Sequence, residues 1–324
     1  MNPIHYLFIT FMPIQSNLEN ARVNTMRKIV MTMMVFVLAI AAWGQNDGLD
    51  ELLSAMIAAK IHQDSIDTSN LVVVYDYECK TRDAEGKAVT DKMKVCLQVG
   101  QHCTRSYPYR KFLEDTSDYE YMTGENYLKW KAESYCFMPE VWTNYPDGKV
   151  TMRDVILPNH YETCGQRKPI DWTLREDTAI INGYLCHTAT CELHGRKWTV
   201  RYADDIPTSA GPWKLSGLPG LILDAESSDG IHHFKLDGLQ RIATPIYYEH
   251  NAITMKVSER KLNDNRKKIY GNKQYPKHPM YYIPDLRNLN ANAIFGQFGD
   301  EFYCIVNGVL EPTDAHVYQP LELK

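Results

Sequence analysis

The sequence lacks the short motifs that most often indicate catalytic or metal-binding chemistry. No Cys-x-x-Cys and no His-x-x-x-His spacing occurs in the 324 residues, so a zinc site of the usual kind is not predicted. The Gly-x-Ser-x-Gly turn of many hydrolases is also missing, and Ser209 and Ser216 have no evident histidine partner. We therefore predict no catalytic residue, no metal and no cofactor.

Long apolar runs, repeats and excess positive charge are missing as well. The longest apolar run, 29–41, falls short of the roughly 20 residues that a membrane-spanning helix needs, so we predict no stable transmembrane anchor. The formal net charge is −5, and it becomes about −7 if residues 1–44, with three basic and one acidic side chain, are removed. An acidic chain argues against nucleic acid as a partner.

The amino-terminal segment predicts a secretory signal peptide. Met26-Arg27-Lys28 is basic, 29–41 is apolar, and Ala42-Trp43-Gly44 has the small-x-small pattern of a cleavage site. We expect cleavage near Gly44 and a mature chain that begins at Gln45 in the periplasm or envelope. Residues 1–25 have no role in a signal peptide, which favours a true start at Met26.

All eight cysteines lie in the mature region. An even number of cysteines in an exported chain favours disulfides, although eight cysteines allow 105 connectivities. Cys79 and Cys96 are the candidate pair, because they lie on or beside two successive strand-like runs. Zinc ligation is the alternative for these thiols.

The hydrophobic pattern predicts a mainly β protein. The β-branched run 71–77 and the alternating run 93–99 predict a first hairpin, and Asp147-Gly148 predicts a turn between two further strands. Asn182-Gly183 is typical of a type I′ turn. A meander of strands follows, with no helical pattern between them: 184–193, 197–202, 221–225 and 231–236.

This order of elements predicts a mainly antiparallel curved sheet or incompletely closed barrel with one or two packed helices. Residues 45–70 are predicted to hold a short helix (50–61) and a linker, and 71–257 the antiparallel domain. Residues 258–324 are predicted to be a basic helix and a Pro/Tyr-rich extension of the same domain. In the stretch 252–270 a strand is expected to run into that helix, with Gly271 at its end.

Five separate pieces follow one another between residues 183 and 223. They are Gly183-Tyr184-Leu185-Cys186, Gly195-Arg196-Lys197-Trp198, Asp205-Ile206-Pro207, Gly211-Pro212-Trp213 and Gly217-Leu218-Pro219-Gly220-Leu221-Ile222-Leu223. Together they resemble the signature of the GLPGLI family of exported bacterial envelope proteins. Tyr145-Pro146-Asp147-Gly148 resembles the upstream hairpin of that family, and Pro320-Leu321-Glu322-Leu323 resembles its Pro-x-Glu-Leu ending. The resemblance implies export and a place in the envelope, and it implies no established activity.

The signature segment has a structural and a functional interpretation. Pro219-Gly220 predicts a β-turn with a positive φ at Gly220, and the loop before it could fold over the sheet and bury its apolar side chains. Alternatively, the loop forms the rim of a cavity that meets a ligand or partner. The candidate rim residues are Arg196, Trp198, Trp213, Leu215, Leu218, Pro219 and Gly220.

Histidines and charges near this segment have simpler structural roles. His232 and His233 point to opposite faces if they lie on a strand, so at most one of them can serve a given site. Arg196 is expected to pair with a carboxylate on a neighbouring strand.

Three functions therefore remain open. The leading expectation is a non-catalytic binding or carrier module for an apolar ligand, a peptide or an outer-membrane partner. The second is a periplasmic hydrolase or metal-dependent enzyme, and the third is a structural component of the envelope. Converging histidines and carboxylates in a pocket would favour the enzyme, and a dry apolar cavity would favour the carrier.

Overall fold

The protein is mainly β. It is known here from a computed structural model that describes residues 61–83, 85–116, 138–156, 159–251, 254–270, 293–298, 301–306, 309–312, 317 and 319–323. Two helices are present in these ranges, α1 (Tyr109–Thr116) and α2 (Glu259–Tyr270). Neither described helix has the length and apolar character to span a membrane. Residues 50–60 of the helix predicted at 50–61 lie outside the described residues, and Ile61 belongs to a strand instead.

Thirteen strands form one large curved sheet that does not close into a barrel. The strands of this sheet are β1 (Ile61–Arg82), β2 (Ala88–Gly100), β3 (Thr104–Pro108), β4 (Glu140–Thr143), β5 (Lys149–Ile156), β6 (Asn159–Gln166), β7 (Thr173–Ile181), β8 (Tyr184–Leu193), β9 (Arg196–Ala203), β10 (Leu221–Ser227), β11 (His232–Gln240), β12 (Thr244–Asn251) and β13 (Met255–Lys256). Their order is β13-β6-β5-β4-β3-β2-β1-β11-β10-β9-β8-β7, and β12 also pairs with β1. All neighbours are antiparallel except β13 and β6.

A second, three-stranded antiparallel sheet was not predicted. It consists of β14 (Ala293–Phe298), β15 (Glu301–Val306) and β16 (Val309–Pro312). These strands fall within 258–324, where the sequence predicted only a helix and an irregular extension.

The main core lies on one face of the large sheet. Side chains alternate across a strand, so every second residue of β1 and β2 enters this core. The residues are Leu71, Val73, Tyr75, Tyr77, Val95, Leu97 and Val99, and all are buried. Each large apolar side chain buried in this way contributes about 1.5–3 kcal/mol to folding.

The first half of β1 pairs with β12, and this ribbon covers a second, charged layer. The pairing of β1 shifts in register near Ser69, where the strand changes partner. Trp142 Nε1 donates to the Tyr247 carbonyl at 3.0 Å, so β12 lies against the opposite face of β4. Beneath it, Arg105 is fully buried, pairs with Glu140 and lies 2.8 Å from Asp115.

Most of the predicted local structure is confirmed. Asn182 and Gly183 have φ values of 47° and 87°, as a type I′ turn requires. The meander appears as successive antiparallel pairs from β7 to β11, and the run after residue 252 contains β13 and α2. The first strand begins at Ile61, however, so residues 61–70 belong to the sheet and are not a linker.

The proposed Cys79–Cys96 disulfide is wrong. In the β1–β2 hairpin Cys79 is opposite Asp91, whereas Cys96 is opposite Val74, which places the two cysteines five residues apart along the ribbon, or about 16 Å. They also lie on opposite faces of the sheet, since Cys79 belongs to the main core and Cys96 to the cluster beside α1. Five of the described cysteines are free: Cys96, Cys103, Cys164, Cys186 and Cys191.

Candidate functional site

The signature loop, residues 204–220 between β9 and β10, covers the core face of the sheet. Trp213, Leu215 and Leu218 are each at most 2% exposed. The Trp213 backbone N–H donates to Ser106 Oγ at 2.9 Å, and Trp172 Nε1 donates to the Ser216 carbonyl at 3.0 Å. The loop is therefore held both by its apolar side chains and by hydrogen bonds to β3 and to the residue before β7.

The role of Gly220 differs from the predicted one. Its φ is not positive, so Pro219-Gly220 does not form the expected turn; positive φ values occur at Trp213 (54°) and Gly217 (102°). Glycine is required at 220 for a steric reason, because a Cβ there would lie 2.1 Å from the Ala203 carbonyl oxygen. The loop closes instead through backbone bonds such as Gly217 N–H to the Ser209 carbonyl, at 2.8 Å.

The candidate rim residues lie mostly in the core. Pro219 is exposed, whereas the other six are buried, so the structural interpretation describes them: Arg196, Trp198, Trp213, Leu215, Leu218 and Gly220. None of the seven lines the cavity found beside the loop.

That cavity, which we call the recess, has a volume of about 180 Å³ and lies where the signature loop meets the β2–β3 and β4–β5 turns. Hydroxyl, amide, imidazole and guanidinium groups predominate in its lining, among them His102, Asn144, Arg167, Ser209 and Ser216, and the thiol of Cys103 lines it as well. Sequence reasoning did not identify this set, because its members come from four separate stretches of chain. The sequence analysis had named two of its members, Ser209 and Ser216, but without a partner, and the Asp147-Gly148 turn was a further signal nearby.

Two side chains fix the turns that form the recess. Asp67 Oδ2 accepts the backbone N–H groups of His102 and Cys103 at 2.7 and 3.0 Å. Burial by itself raises the pKa of Asp67, but these hydrogen bonds outweigh it and the net pKa is lowered. On the other side, Asn144 Nδ2 donates to the His102 carbonyl at 2.7 Å, and its Oδ1 accepts from Gly148 N–H at 2.9 Å. The recess is thus preformed.

The thiol in the recess is poorly suited to nucleophilic chemistry. Burial, followed by the charge of Asp67, raises the pKa of Cys103 to about 12, so the thiolate is scarcely populated at neutral pH. Within the described part of the chain, no group of three or more His, Cys, Asp or Glu side chains is placed to hold a metal ion.

The two adjacent histidines point to opposite faces, as predicted. His232 is fully buried, and burial together with the charge of Arg196 lowers its pKa to about 3. His233 lies on the other face, 2.8 Å from Asp224 Oδ2, and this hydrogen bond raises its pKa. Neither histidine lines the recess.

Arg196 is a structural residue. Its guanidinium pairs with Asp229, which lies in the turn between β10 and β11 and not on a neighbouring strand as expected. Nε and Nη2 donate to the Pro320 carbonyl at 3.1 and 2.7 Å. The arginine therefore joins the signature segment to the carboxy-terminal end of the chain.

Comparison with known proteins adds little to this geometry. No protein-family model and no curated protein matches the chain. Two crystal structures of PNGF-II, in space groups P21 and C2, are similar to it with TM-scores of 0.40 and 0.39 and identities of 14% and 13%. The matches cover 61% and 60% of this chain but only 33% and 32% of those chains. Similarity at this level supports no conclusion about function.

Proposed function

We propose that the chain is an exported, non-catalytic binding module of the cell envelope, and that a polar segment of a peptide enters the recess. The observation that carries this proposal is the preformed recess itself, which the signature loop shares with two braced turns. A rigid cavity of this size accommodates one or two side chains of a larger ligand.

The chemistry of the lining favours a peptide over an apolar ligand. Hydroxyl and amide groups of the recess can bond a peptide backbone or a polar side chain, and Arg167 adds a positive charge. The core face of the sheet, which would have to hold an apolar ligand, is filled by Trp213, Leu215 and Leu218. An envelope partner that presents an extended segment therefore fits better than a lipid-like cargo.

A catalytic role has less support. The raised pKa of Cys103 removes the strongest nucleophile candidate in the recess. His102 also lines the recess, but among the described residues its imidazole is hydrogen-bonded to neither Ser209 nor Ser216, and His232 and His233 lie elsewhere. Export and envelope location enter the proposal through the signal-peptide pattern and the resemblance to the GLPGLI family, which both concern sequence alone.

Native mass spectrometry of the protein purified from its own envelope tests this function. We expect a bound peptide mass in the wild type that is lost in Ser209→Trp, because the indole would fill the recess. Ser228→Trp, in the exposed turn between β10 and β11, is the matched control and should retain the mass. A peptide that stays bound to Ser209→Trp, or a lipid mass in its place, would contradict the proposal.

A further inference from the structure

The last described residues, 319–323, lie in a cleft between the β8–β9 turn, the signature loop and α2. This segment, which we call the tail, reads Gln-Pro-Leu-Glu-Leu. Just upstream, Val317 N–H donates to the Arg82 carbonyl at 2.7 Å, which joins the chain to the end of β1. The cleft contacts four successive tail residues, two through their main chain and two through their side chains.

The carbonyl of Pro320 is held by three donors. Arg196 supplies two of them, and His232 Nε2 lies 3.2 Å from the same oxygen. Because a carbonyl can only accept, His232 Nε2 carries the hydrogen and Nδ1 accepts from the Tyr77 hydroxyl at 2.7 Å. A main-chain oxygen bound by a buried arginine and a buried histidine is a strong anchor that does not depend on the side chain of the ligand.

The next two residues enter specific sites. Leu321 is 4% exposed and belongs to the main core. Glu322 is 2% exposed, and its carboxylate lies 2.7 Å from Lys214 Nζ and 3.8 Å from Arg266 Nη1. Burial alone raises the pKa of Glu322, but the charges of these two cations overcome burial and lower the pKa to about 2.

Leu323 is held through its backbone. Its N–H donates to the His194 carbonyl at 2.8 Å, and its own carbonyl accepts from Lys267 Nζ at 3.3 Å. The cleft thus combines main-chain contacts at two positions with an apolar site and a cationic site between them. Proteins recognise extended peptides by this combination of main-chain bonds and side-chain pockets. A buried ion pair adds little net stability but discriminates strongly between ligands, because an unmatched partner leaves a buried charge.

We propose that this cleft is a binding site for an extended peptide of the pattern Pro-apolar-Glu-apolar, which the chain's own tail occupies in cis. The site is separate from the recess and does not depend on the function proposed for it. A partner segment of the same pattern must displace the tail, and the tail competes at the high effective concentration of a tethered ligand, on the order of millimolar. The tail is therefore an autoinhibitory occupant.

The proposal is tested with full-length protein and a fluorescent nonamer of residues 316–324, whose binding is followed by fluorescence anisotropy. In the tail variant Leu321→Ala/Glu322→Gln, the peptide should bind at least tenfold more tightly than to wild type. Adding Lys214→Met to the tail variant, or replacing the glutamate of the peptide by glutamine, should reverse that gain. A folded tail variant that binds no better than wild type, or equal binding of the glutamine peptide, overturns the proposal.

If the tail variant does not fold, the same peptide decides the question in trans. Millimolar nonamer should then restore the near-ultraviolet circular dichroism of the variant, and the glutamine peptide should not. Failure of the nonamer to restore the signal would show that the tail is an integral part of the fold and not a separable ligand.

Discussion

The Cα of Gly220 lies so close to the Ala203 carbonyl that a Cβ at position 220 would be 2.1 Å from that oxygen. The contact joins the end of the signature loop to the end of β9, and neither partner can move easily because both are backbone. We expect Gly220→Ala to destabilise the protein by about 3 kcal/mol, at the upper end of the usual cost of overpacking. Urea unfolding measures this loss.

The matched control is Gly165→Ala in β6, where an added Cβ meets nothing within 4 Å and φ is not positive. This variant should unfold at the same urea concentration as wild type. Equal stability of Gly220→Ala and Gly165→Ala would show that the loop gives way at Ala203.

Arg105 and Glu140 form a buried ion pair, and the loss of either partner is expected to lower the stability of the fold strongly. Glu140→Gln would leave the fully buried guanidinium with Asp115 as its remaining close carboxylate, at an expected cost of about 3–5 kcal/mol. The exposed pair of Lys92 and Glu78 is the control, and Glu78→Gln should change the free energy of unfolding little. Similar effects of the two substitutions would argue against the charged layer described here.

The lowered pKa of His232 predicts a loss of stability on acidification. Its pKa is about 3 in the folded protein against an ordinary value of 6.5, so between these values the unfolded chain binds more protons. The free energy of unfolding therefore loses nothing through His232 above pH 6.5. Between pH 6.5 and pH 3 it falls by up to about 1.4 kcal/mol for each unit by which the pH is lowered. The raised pKa of His233 opposes this trend, so the measurement is the difference between wild type and His232→Gln, whose unfolding free energy should depend less on pH in this window.

Free thiols should account for at least five of the eight cysteines. Titration in denaturant without reductant is expected to find the thiols of Cys96, Cys103, Cys164, Cys186 and Cys191, because none of these five is paired. In the native protein, Cys164 is the exposed member of this set, so Cys164→Ser should remove one fast-reacting thiol and Cys96→Ser should remove none. Two or fewer titratable thiols would mean that the exported protein forms disulfides absent from this structure.

Export can be tested independently of the fold. The basic, apolar and small-residue order of residues 26–44 predicts cleavage near Gly44. Amino-terminal sequencing of the protein from envelope fractions should begin at or near Gln45. Recovery of a chain that still carries Met1 or Met26 would contradict the predicted processing.

Local patterns predicted much of the sheet. Asn182-Gly183 forms its type I′ turn, and the strand predicted at 184–193 coincides with β8, because turn chemistry and period-two alternation act over a few residues. The fold class followed from the order of these strands. Such signals do not say which face of the sheet becomes the core or what covers it.

Long-range contacts decided the rest. The sequence pattern indicated that position 220 requires glycine, but it predicted a positive φ there, and this was wrong. Glycine is required because the Ala203 backbone lies too close for a Cβ. The register of β1 and β2 separated Cys79 from Cys96, although their strands do form the predicted hairpin. The recess and the tail cleft each combine residues from distant segments, as when Lys214 meets Glu322, and no local pattern encodes such a meeting. The sequence by itself determined many of the strands and the Asn182-Gly183 turn, since these depend on neighbours in the chain. The tertiary structure determined the sites, since they depend on how the strands pair and what the loop buries.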